Sequence, residues 1–125
     1  MKNYFLSLLV LPGLFCGSSF IKRDNPANNS ATVKSGEIIQ TTLSIRERSG
    51  NKIRVYKTWI FMEADNKKVY LNYIENYDTP KTNPDLIEKK SVLIENNSIL
   101  IDRYILNIYE LKRDTISYVI TINES

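Results

Sequence analysis

Four polar residues could do chemistry in this chain, because the alternation of side chains along their strands predicts that they point inward. They are Lys57, Glu75, Arg103 and Asn107. A turn at residues 65–67 places Lys57 opposite Glu75, and an inward charge without a partner costs a large free energy. The pair could anchor the polar head of a small amphipathic ligand, with Trp59 and Arg103 as further anchor candidates. The alternative interpretation is an ion pair at a solvent-exposed rim, which contributes about 0–1 kcal/mol.

A basic hairpin is the second candidate site. Its cations lie on either side of a turn at residues 49–51 and are Arg46, Arg48, Lys52 and Arg54. A three-residue turn puts Arg46 opposite Arg54, and like charges in direct opposition are destabilising. The pattern leaves three interpretations: a different register, recognition of an anionic surface, or a solvated charged face. Lipid or polysaccharide is the expected anionic partner and nucleic acid is not, because the chain carries an export signal (below).

The chain lacks the residues that most catalytic mechanisms require. It has no histidine, one cysteine and a formal net charge of +3. These counts exclude Ser/His and Cys/His catalytic arrangements and His/Cys zinc sites. The sequence also lacks a glycine-rich phosphate loop and the acidic spacing of a calcium loop. Only carboxylate chemistry of the glycosidase type stays open. We therefore predict a non-enzymatic protein with no catalytic residue, no metal and no cofactor.

The N-terminal residues have the order of an export signal. Lys2 supplies a positive charge, residues 4–15 are almost wholly apolar, and small residues follow as far as Ser19. The apolar run is too short for a membrane-spanning helix, which needs about 20 residues. We predict a signal peptide over residues 1–19, with cleavage before Phe20 if a general signal peptidase acts.

Cys16 offers a second way of processing this signal. It closes the apolar run and is followed by Gly17–Ser19. This segment resembles the lipobox of small bacterial envelope lipoproteins, with Phe15 at the place where the usual motif has a small residue. The resemblance implies cleavage just before Cys16 and a lipid anchor on its sulfur, which would attach the protein to a membrane. Under either processing the chain has no second cysteine with which to form an internal disulfide.

The remainder of the chain is predicted to be a linker followed by one all-β domain. Residues 20–35 are polar and rich in Asn and Ser, which predicts a flexible linker. Residues 36–125 show short runs of Ile, Val, Tyr and Thr between turn residues, without helical periodicity. The predicted strands are Glu37–Arg48, Lys52–Glu63, Val69–Tyr77, Ile87–Glu95, Ile99–Leu111 and Thr115–Asn123. About six antiparallel strands joined mostly by hairpins indicate a small sandwich or an up-and-down barrel.

Two hairpins have a self-consistent predicted register. A turn at residues 65–67 pairs Trp59 with Tyr73, and a two-residue turn at residues 113–114 pairs Tyr109 with Tyr118. The inward faces predict this core: Ile53, Val55, Trp59, Phe61, Leu71, Tyr73, Ile99, Ile101, Ile105, Leu111, Ile116, Tyr118, Ile120 and Ile122, with Leu43 and Ile45 from the first strand. The strand Ile99–Leu111 is apolar on both faces, which predicts either a central strand covered on both sides or an exposed patch for a partner.

Two hypotheses of function follow. The first is an exported, non-enzymatic β-domain protein of the cell envelope or surface, with or without a lipid anchor, which binds a protein or polysaccharide partner. The alternative is a lipocalin-like carrier of a small apolar ligand. Six strands are fewer than the eight common in ligand-holding barrels, which favours the first hypothesis. A filled core with an exposed apolar patch would support the interaction module, and an empty, lined barrel would support the carrier.

Overall fold

The computed structural model describes residues 19–23, 30–78 and 83–123, and every regular element within these ranges is a β-strand. The strands are β1 (Ile21–Lys22), β2 (Ser30–Lys34), β3 (Ile38–Arg48), β4 (Asn51–Ala64), β5 (Lys68–Tyr77), β6 (Leu86–Leu93), β7 (Ser98–Ile101), β8 (Tyr104–Lys112) and β9 (Thr115–Ile122). The all-β prediction is confirmed, with more strands than the six predicted. The described residues contain no helix of the length and apolarity needed to cross a membrane.

The strands form two antiparallel sheets. The β8–β9 sheet has the order β1-β8-β9-β2, with β7 paired to β8, and the β3–β6 sheet has the order β3-β4-β5-β6. Side chains of both sheets form one buried cluster, so the fold is a small sandwich. The chain crosses between the sheets from β2 to β3 at residues 34–38 and from β6 to β7 at residues 93–98. The loop between β5 and β6 joins two neighbouring strands of the same sheet.

The core contains most of the predicted residues. Those that are buried as predicted are Val55, Trp59, Phe61, Leu71, Tyr73, Ile99, Ile101, Leu111, Ile116 and Tyr118. Those that the sequence missed are Val33, Ile39, Ala64, Val69, Leu106 and Ile108. The Tyr118 phenol donates to the Ile39 carbonyl oxygen at 3.3 Å, which links the two sheets. Burial raises the pKa of Tyr118 to about 12, so this donor keeps its proton across the neutral range.

Residues 21–22 and 30–34 form strands within the segment that the sequence predicts to be a flexible linker. β1 pairs with β8, and β2 pairs with β9 from Ser30 to Lys34. Val33 is 6% exposed and lies opposite Ile116, so its burial ties this strand to the core. Residues 24–29 lie outside the described residues, as do residues 1–18 of the predicted signal peptide, including Cys16.

The predicted strand Ile99–Leu111 is in fact a hairpin of β7 and β8. The chain reverses at Asp102 and Arg103, and Asp102 adopts a positive φ of 56°. Ile99 then lies opposite Leu106, so apolar residues from both faces of the predicted strand point into the same core. Those that are buried are Ile99 and Ile101 of β7 and Leu106 and Ile108 of β8. Ile105, predicted to be in the core, is only half-buried on the other side.

A bulge corrects the predicted register of the last hairpin. Leu111 pairs with Ile116 as predicted, but the register shifts between Ile108 and Glu110. Tyr118 consequently pairs with Ile108 and not with Tyr109. Beyond the bulge, the predicted core residue Ile120 is half-buried and Ile122 is exposed. An inserted residue of this kind leaves no mark in a simple alternation of side chains.

The first hairpin also has a register that differs from the prediction. Its turn has two residues, Ser49 and Gly50, whose φ values of 53° and 83° are those of a type I′ turn. Lys52 therefore lies opposite Glu47, and the predicted opposition of like charges is absent. The shift also turns Leu43 and Ile45 away from the core, and they are 54% and 59% exposed. Their prediction as core residues is wrong, because β4 sets the register and buries its own apolar face. The predicted core residue Ile53 is half-buried.

Candidate binding groove

A groove opens to solvent at one end of the sandwich, over the face of the β3–β6 sheet that is turned toward the other sheet (the inner face). It encloses about 600 Å³, within the range of small-ligand sites. The hairpin of β7 and β8 contributes Leu100, Ile101 and Asp102 to its lining. The β3–β6 sheet contributes the remaining residues, which are Arg46, Lys57, Trp59, Leu71, Tyr73, Glu75, Tyr77, Leu86, Glu88, Lys90 and Val92. Charged and apolar side chains therefore meet in one concave surface.

The register of β4, β5 and β6 explains which side chains meet there. Lys57 lies opposite Glu75, as the sequence predicts, and Glu75 lies opposite Leu86. The next inward pair along the ladder is Trp59 and Tyr73, whose ring centroids are 5.1 Å apart at an interplanar angle of 45°. The structure thus brings together Lys57, Glu75 and Trp59 of the four predicted anchor residues. The fourth, Arg103, is exposed in the turn between β7 and β8 and is not part of the groove lining.

Glu75 is a buried carboxylate with three donors. The residue is only 6% exposed. Its Oε2 atom accepts a hydrogen bond from the Tyr73 hydroxyl at 2.5 Å, and its Oε1 atom accepts one from the Tyr77 hydroxyl at 3.0 Å. Oε2 also lies 3.5 Å from Nη2 of Arg46. A buried charge is stable when it is paired and hydrogen-bonded in this way.

The network fixes the protonation states of its members. Burial alone would raise the pKa of Glu75, but the hydrogen bonds from Tyr73 and Tyr77 and the charge of Arg46 outweigh it and lower that pKa below its ordinary value. Burial, together with the Glu75 carboxylate, raises the pKa of Tyr73 above its ordinary value. At neutral pH the network therefore holds an ionised carboxylate and a protonated phenol. Neither titrates near pH 7, where a general acid or base is most effective.

Arg46 lies on a different face from the one that a three-residue turn gives it. Such a turn would place it opposite Arg54, whereas the two-residue turn places it opposite Ile53 on the inner face, so the basic hairpin has a different register, the first of the three interpretations left open for it. From β3 its side chain passes over β4 to reach Glu75 on β5, and Val55 in between is fully buried. The side chain nevertheless remains 45% exposed. The Ser-Gly dipeptide, which favours a two-residue turn, is the sequence signal that indicates that Arg46 points to the inner face.

The predicted anionic-surface residues do not share one face. The Arg46 and Arg48 guanidiniums lie 5.9 Å and 5.6 Å from the centroid of the Tyr77 ring, on the inner side. Lys52 and Arg54 lie opposite Glu47 and Ile45 on the face of the sheet turned away from the core, which we call the outer face. The single basic ribbon of the prediction is therefore two separate pairs of cations.

Lys57 stands out among the cations of the groove. Lys90 pairs with Glu88 at 3.3 Å and its ammonium lies 5.3 Å from the centroid of the Tyr73 ring. Lys57 is half-buried, and within the described ranges it forms no ion pair. The groove thus presents one ammonium without an ionic partner beside a guanidinium that is already held in place.

The part of the chain that the structure describes contains no group of three or more His, Cys, Asp or Glu side chains that could hold a metal ion. No family model matches the chain, and no curated protein and no solved structure shows a significant similarity to it. The shape and charges of the sandwich surface are therefore the basis on which a function can be assigned.

Proposed function

We propose that the protein is an exported, non-enzymatic binding module of the cell envelope or surface, and that the groove binds a carboxylate group of its partner. The observation that carries this proposal is the pair of cations at the groove. Arg46 is held by the Glu75 network, and Lys57 is half-buried without an ionic partner among the described residues. An anionic group bound in the groove would give the ammonium of Lys57 an ionic partner and would also contact the guanidinium of Arg46.

The guanidinium of Arg46 is suited to this role because it is preorganised. One of its nitrogens faces Glu75, and the side chain is still 45% exposed. A guanidinium has five N–H donors, so those that do not face Glu75 are able to donate to a carboxylate. A cation already fixed in its bound orientation loses less conformational entropy when the partner arrives.

The choice of an interaction module over a lipocalin-like carrier rests on the core. Large side chains that are fully buried, among them Phe61, Ile108 and Ile116, fill the space between the two sheets. The groove is open to solvent and lies at the edge of this cluster, where Trp59, Leu71, Tyr73 and Ile101 line it. A carrier requires an enclosed, lined interior, and the filled core favours a partner that binds at the surface.

Export and anchoring are supported by the sequence of the first nineteen residues, in which the charged, apolar and small segments follow in the order of a signal. The intact mass of the protein taken from its native membrane fraction tests this part. A diacylglyceryl mass on Cys16 supports the lipid anchor, and a chain that begins at Phe20 supports secretion without an anchor. A chain that still carries residues 1–15 would contradict export.

A titration followed by NMR tests the groove. Oligoglutamate and oligogalacturonate present carboxylates on a peptide and on a sugar, and oligoglutamine is the neutral control. We expect at least one of the acidic probes to shift the signals of Arg46, Lys57 and Tyr77 with saturation. Lys57→Met should weaken that probe by roughly tenfold with the fold intact, because a charge-assisted hydrogen bond is lost.

Lys67→Met is the matched control, since it removes the same charge from an exposed turn outside the groove. It should leave the affinity nearly unchanged. Equal weakening by both variants would indicate unspecific attraction to a basic protein and would contradict a groove site. The absence of shifts with either acidic probe would contradict it as well.

A further inference from the structure

The outer face of the β3–β6 sheet is apolar where a solvated sheet face is usually polar. Four of its residues, Ile38, Leu43, Ile45 and Ile87, each expose more than half of their surface. Large apolar patches on a protein surface mark sites for another macromolecule or a membrane.

The register places these residues on the same face of the sheet. Leu43 lies opposite Tyr56, and Ile38 lies opposite Ile60. On the far side of the sheet, Ile74 lies opposite Ile87. The half-buried Tyr56, Ile60 and Ile74 thus lie among the exposed apolar residues of β3 and β6, so apolar side chains occur on all four strands of this face. The polar residues between them are Thr58, Asn72 and Asn76.

Cations surround this apolar surface. The register turns Lys52, Arg54, Lys68 and Lys89 to the outer side, and all four are exposed. Within the described ranges none of the four forms an ion pair. Acidic side chains also lie on or beside this side: Glu47 opposite Lys52, Glu63, which pairs with Arg113 at 3.5 Å, and Asp65, which accepts a hydrogen bond from the Tyr70 hydroxyl. The outer face therefore combines exposed apolar side chains with four cations that have no ion pair among the described residues.

We propose that the outer face binds an anionic lipid bilayer. Apolar side chains in the middle of such a face enter the boundary between headgroups and acyl chains, and the surrounding cations contact the anionic headgroups. A second copy of this chain fits less well, because two outer faces in contact would bring their cations together. The groove lies on the inner side of the same sheet, so a bilayer on the outer face leaves it open. This proposal does not depend on the ligand of the groove.

The experiment compares two positions on opposite sheets of the full chain. Ile87→Cys on the outer face and Ile122→Cys on β9 are made separately in a Cys16→Ser background, and both native isoleucines are at least half exposed. Each thiol carries an environment-sensitive dye. Since the apolar residues 4–15 are themselves expected to associate with bilayers, the position of the dye is the readout and not the amount of protein bound. Vesicles of phosphatidylcholine, with and without phosphatidylglycerol, are the probes.

We expect a shift of emission to shorter wavelength at position 87 and not at position 122, with the phosphatidylglycerol vesicles only. Arg54→Gln combined with Lys89→Gln should weaken the position-87 response roughly 30-fold, since each cation near an anionic surface contributes several-fold. Lys34→Gln combined with Arg103→Gln removes the same charge from the other sheet and should cost less than about threefold.

Three results would overturn the proposal. Equal shifts at both positions would mean that the chain binds vesicles through another segment. No shift at position 87 would mean that the outer face does not meet lipid. A shift at position 87 that grows with protein concentration in the absence of vesicles would assign this face to a second copy.

Discussion

The inner and outer faces of the β3–β6 sheet are built from the same strands but differ in what they bury. Near the groove, β3 turns Ser44 and Arg46 inward, and it turns Leu43 and Ile45 toward solvent. The inner face buries a carboxylate with its donors, whereas the outer face leaves large aliphatic side chains exposed. The usual distribution of polar and apolar side chains is thus reversed at this end of the sheet.

The reversal shows that pairing with a neighbouring strand decides which side chains of a strand face the core. Read alone, β3 would turn Leu43 and Ile45 to the core, since burial of a large apolar side chain is favourable by about 1.5–3 kcal/mol. The ladder with β4 decides otherwise, because β4 already turns Val55 and Phe61 inward and both are fully buried. A single ladder cannot satisfy both strands, and the edge strand β3 exposes its apolar side chains.

Truncation of the inner core should have the largest effect on stability. Phe61→Ala removes a fully buried ring of the inner face and leaves a cavity between the sheets. We expect a loss of about 3–5 kcal/mol in the free energy of unfolding. Urea unfolding followed by the fluorescence of Trp59, the one tryptophan of the chain, measures it. A loss below about 1 kcal/mol would show that the inner face is not a packed core.

Neutralisation of the groove network should have an intermediate effect. Glu75→Gln keeps the size of the side chain but leaves Arg46 without its countercharge. We expect a loss of about 1–3 kcal/mol at neutral pH. Because the folded pKa of Glu75 lies below its unfolded value, its contribution is complete above the unfolded value, near 4.3, and disappears as the pH falls through the folded value.

Glu75→Gln is also the control for the pH dependence of the free energy of unfolding. Below about pH 4.3 the wild-type free energy of unfolding should fall more steeply with decreasing pH than that of Glu75→Gln. Urea unfolding at a series of pH values compares the two slopes. Parallel slopes would mean that the Glu75 carboxylate is no better stabilised in the folded chain than in the unfolded one.

Substitution on the outer face should have the smallest effect. Leu43→Thr exchanges an exposed aliphatic side chain for one that also favours strands, so we expect a change within about 0.5 kcal/mol. The same urea measurement applies. A loss as large as that of the groove variant would show that Leu43 is covered in the folded protein, and it would remove the contrast between the two faces.

Sequence reasoning succeeded where one hairpin defined its own register. The β4–β5 hairpin has the predicted pairs from Val55 to Phe61, although beyond a bulge between Phe61 and Glu63 the ladder is shifted by one residue. The sequence alone therefore places Lys57 and Trp59 next to Glu75. Their alternation is unambiguous because apolar side chains recur at every second position of both strands, apart from the Lys57 and Glu75 pair.

Prediction from the sequence failed where one residue more or less in a turn or bulge changed the face of the strand to which side chains point. The bulge at Tyr109 and the reversal at Asp102 both moved side chains to the other face of a strand. Arg46, a predicted anionic-surface residue, points to the other face for the same reason, since its inward direction follows from the length of the turn and not from its own neighbours. Ser30–Lys34 was missed because a strand with one buried side chain has no apolar alternation to detect.

The two-residue turn at Ser49 and Gly50 gives the protein an unusual sensitivity to loop length. Most surface loops tolerate insertions, because the entropy of closing a longer loop grows slowly. One residue added here would rotate β3 by half a turn relative to β4 and exchange its two sides. Arg46 would leave Glu75, and Leu43 would replace Ser44 beside Val55. A single codon inserted at an exposed position would therefore remove the groove cation and withdraw Leu43 and Ile45 from the outer face together.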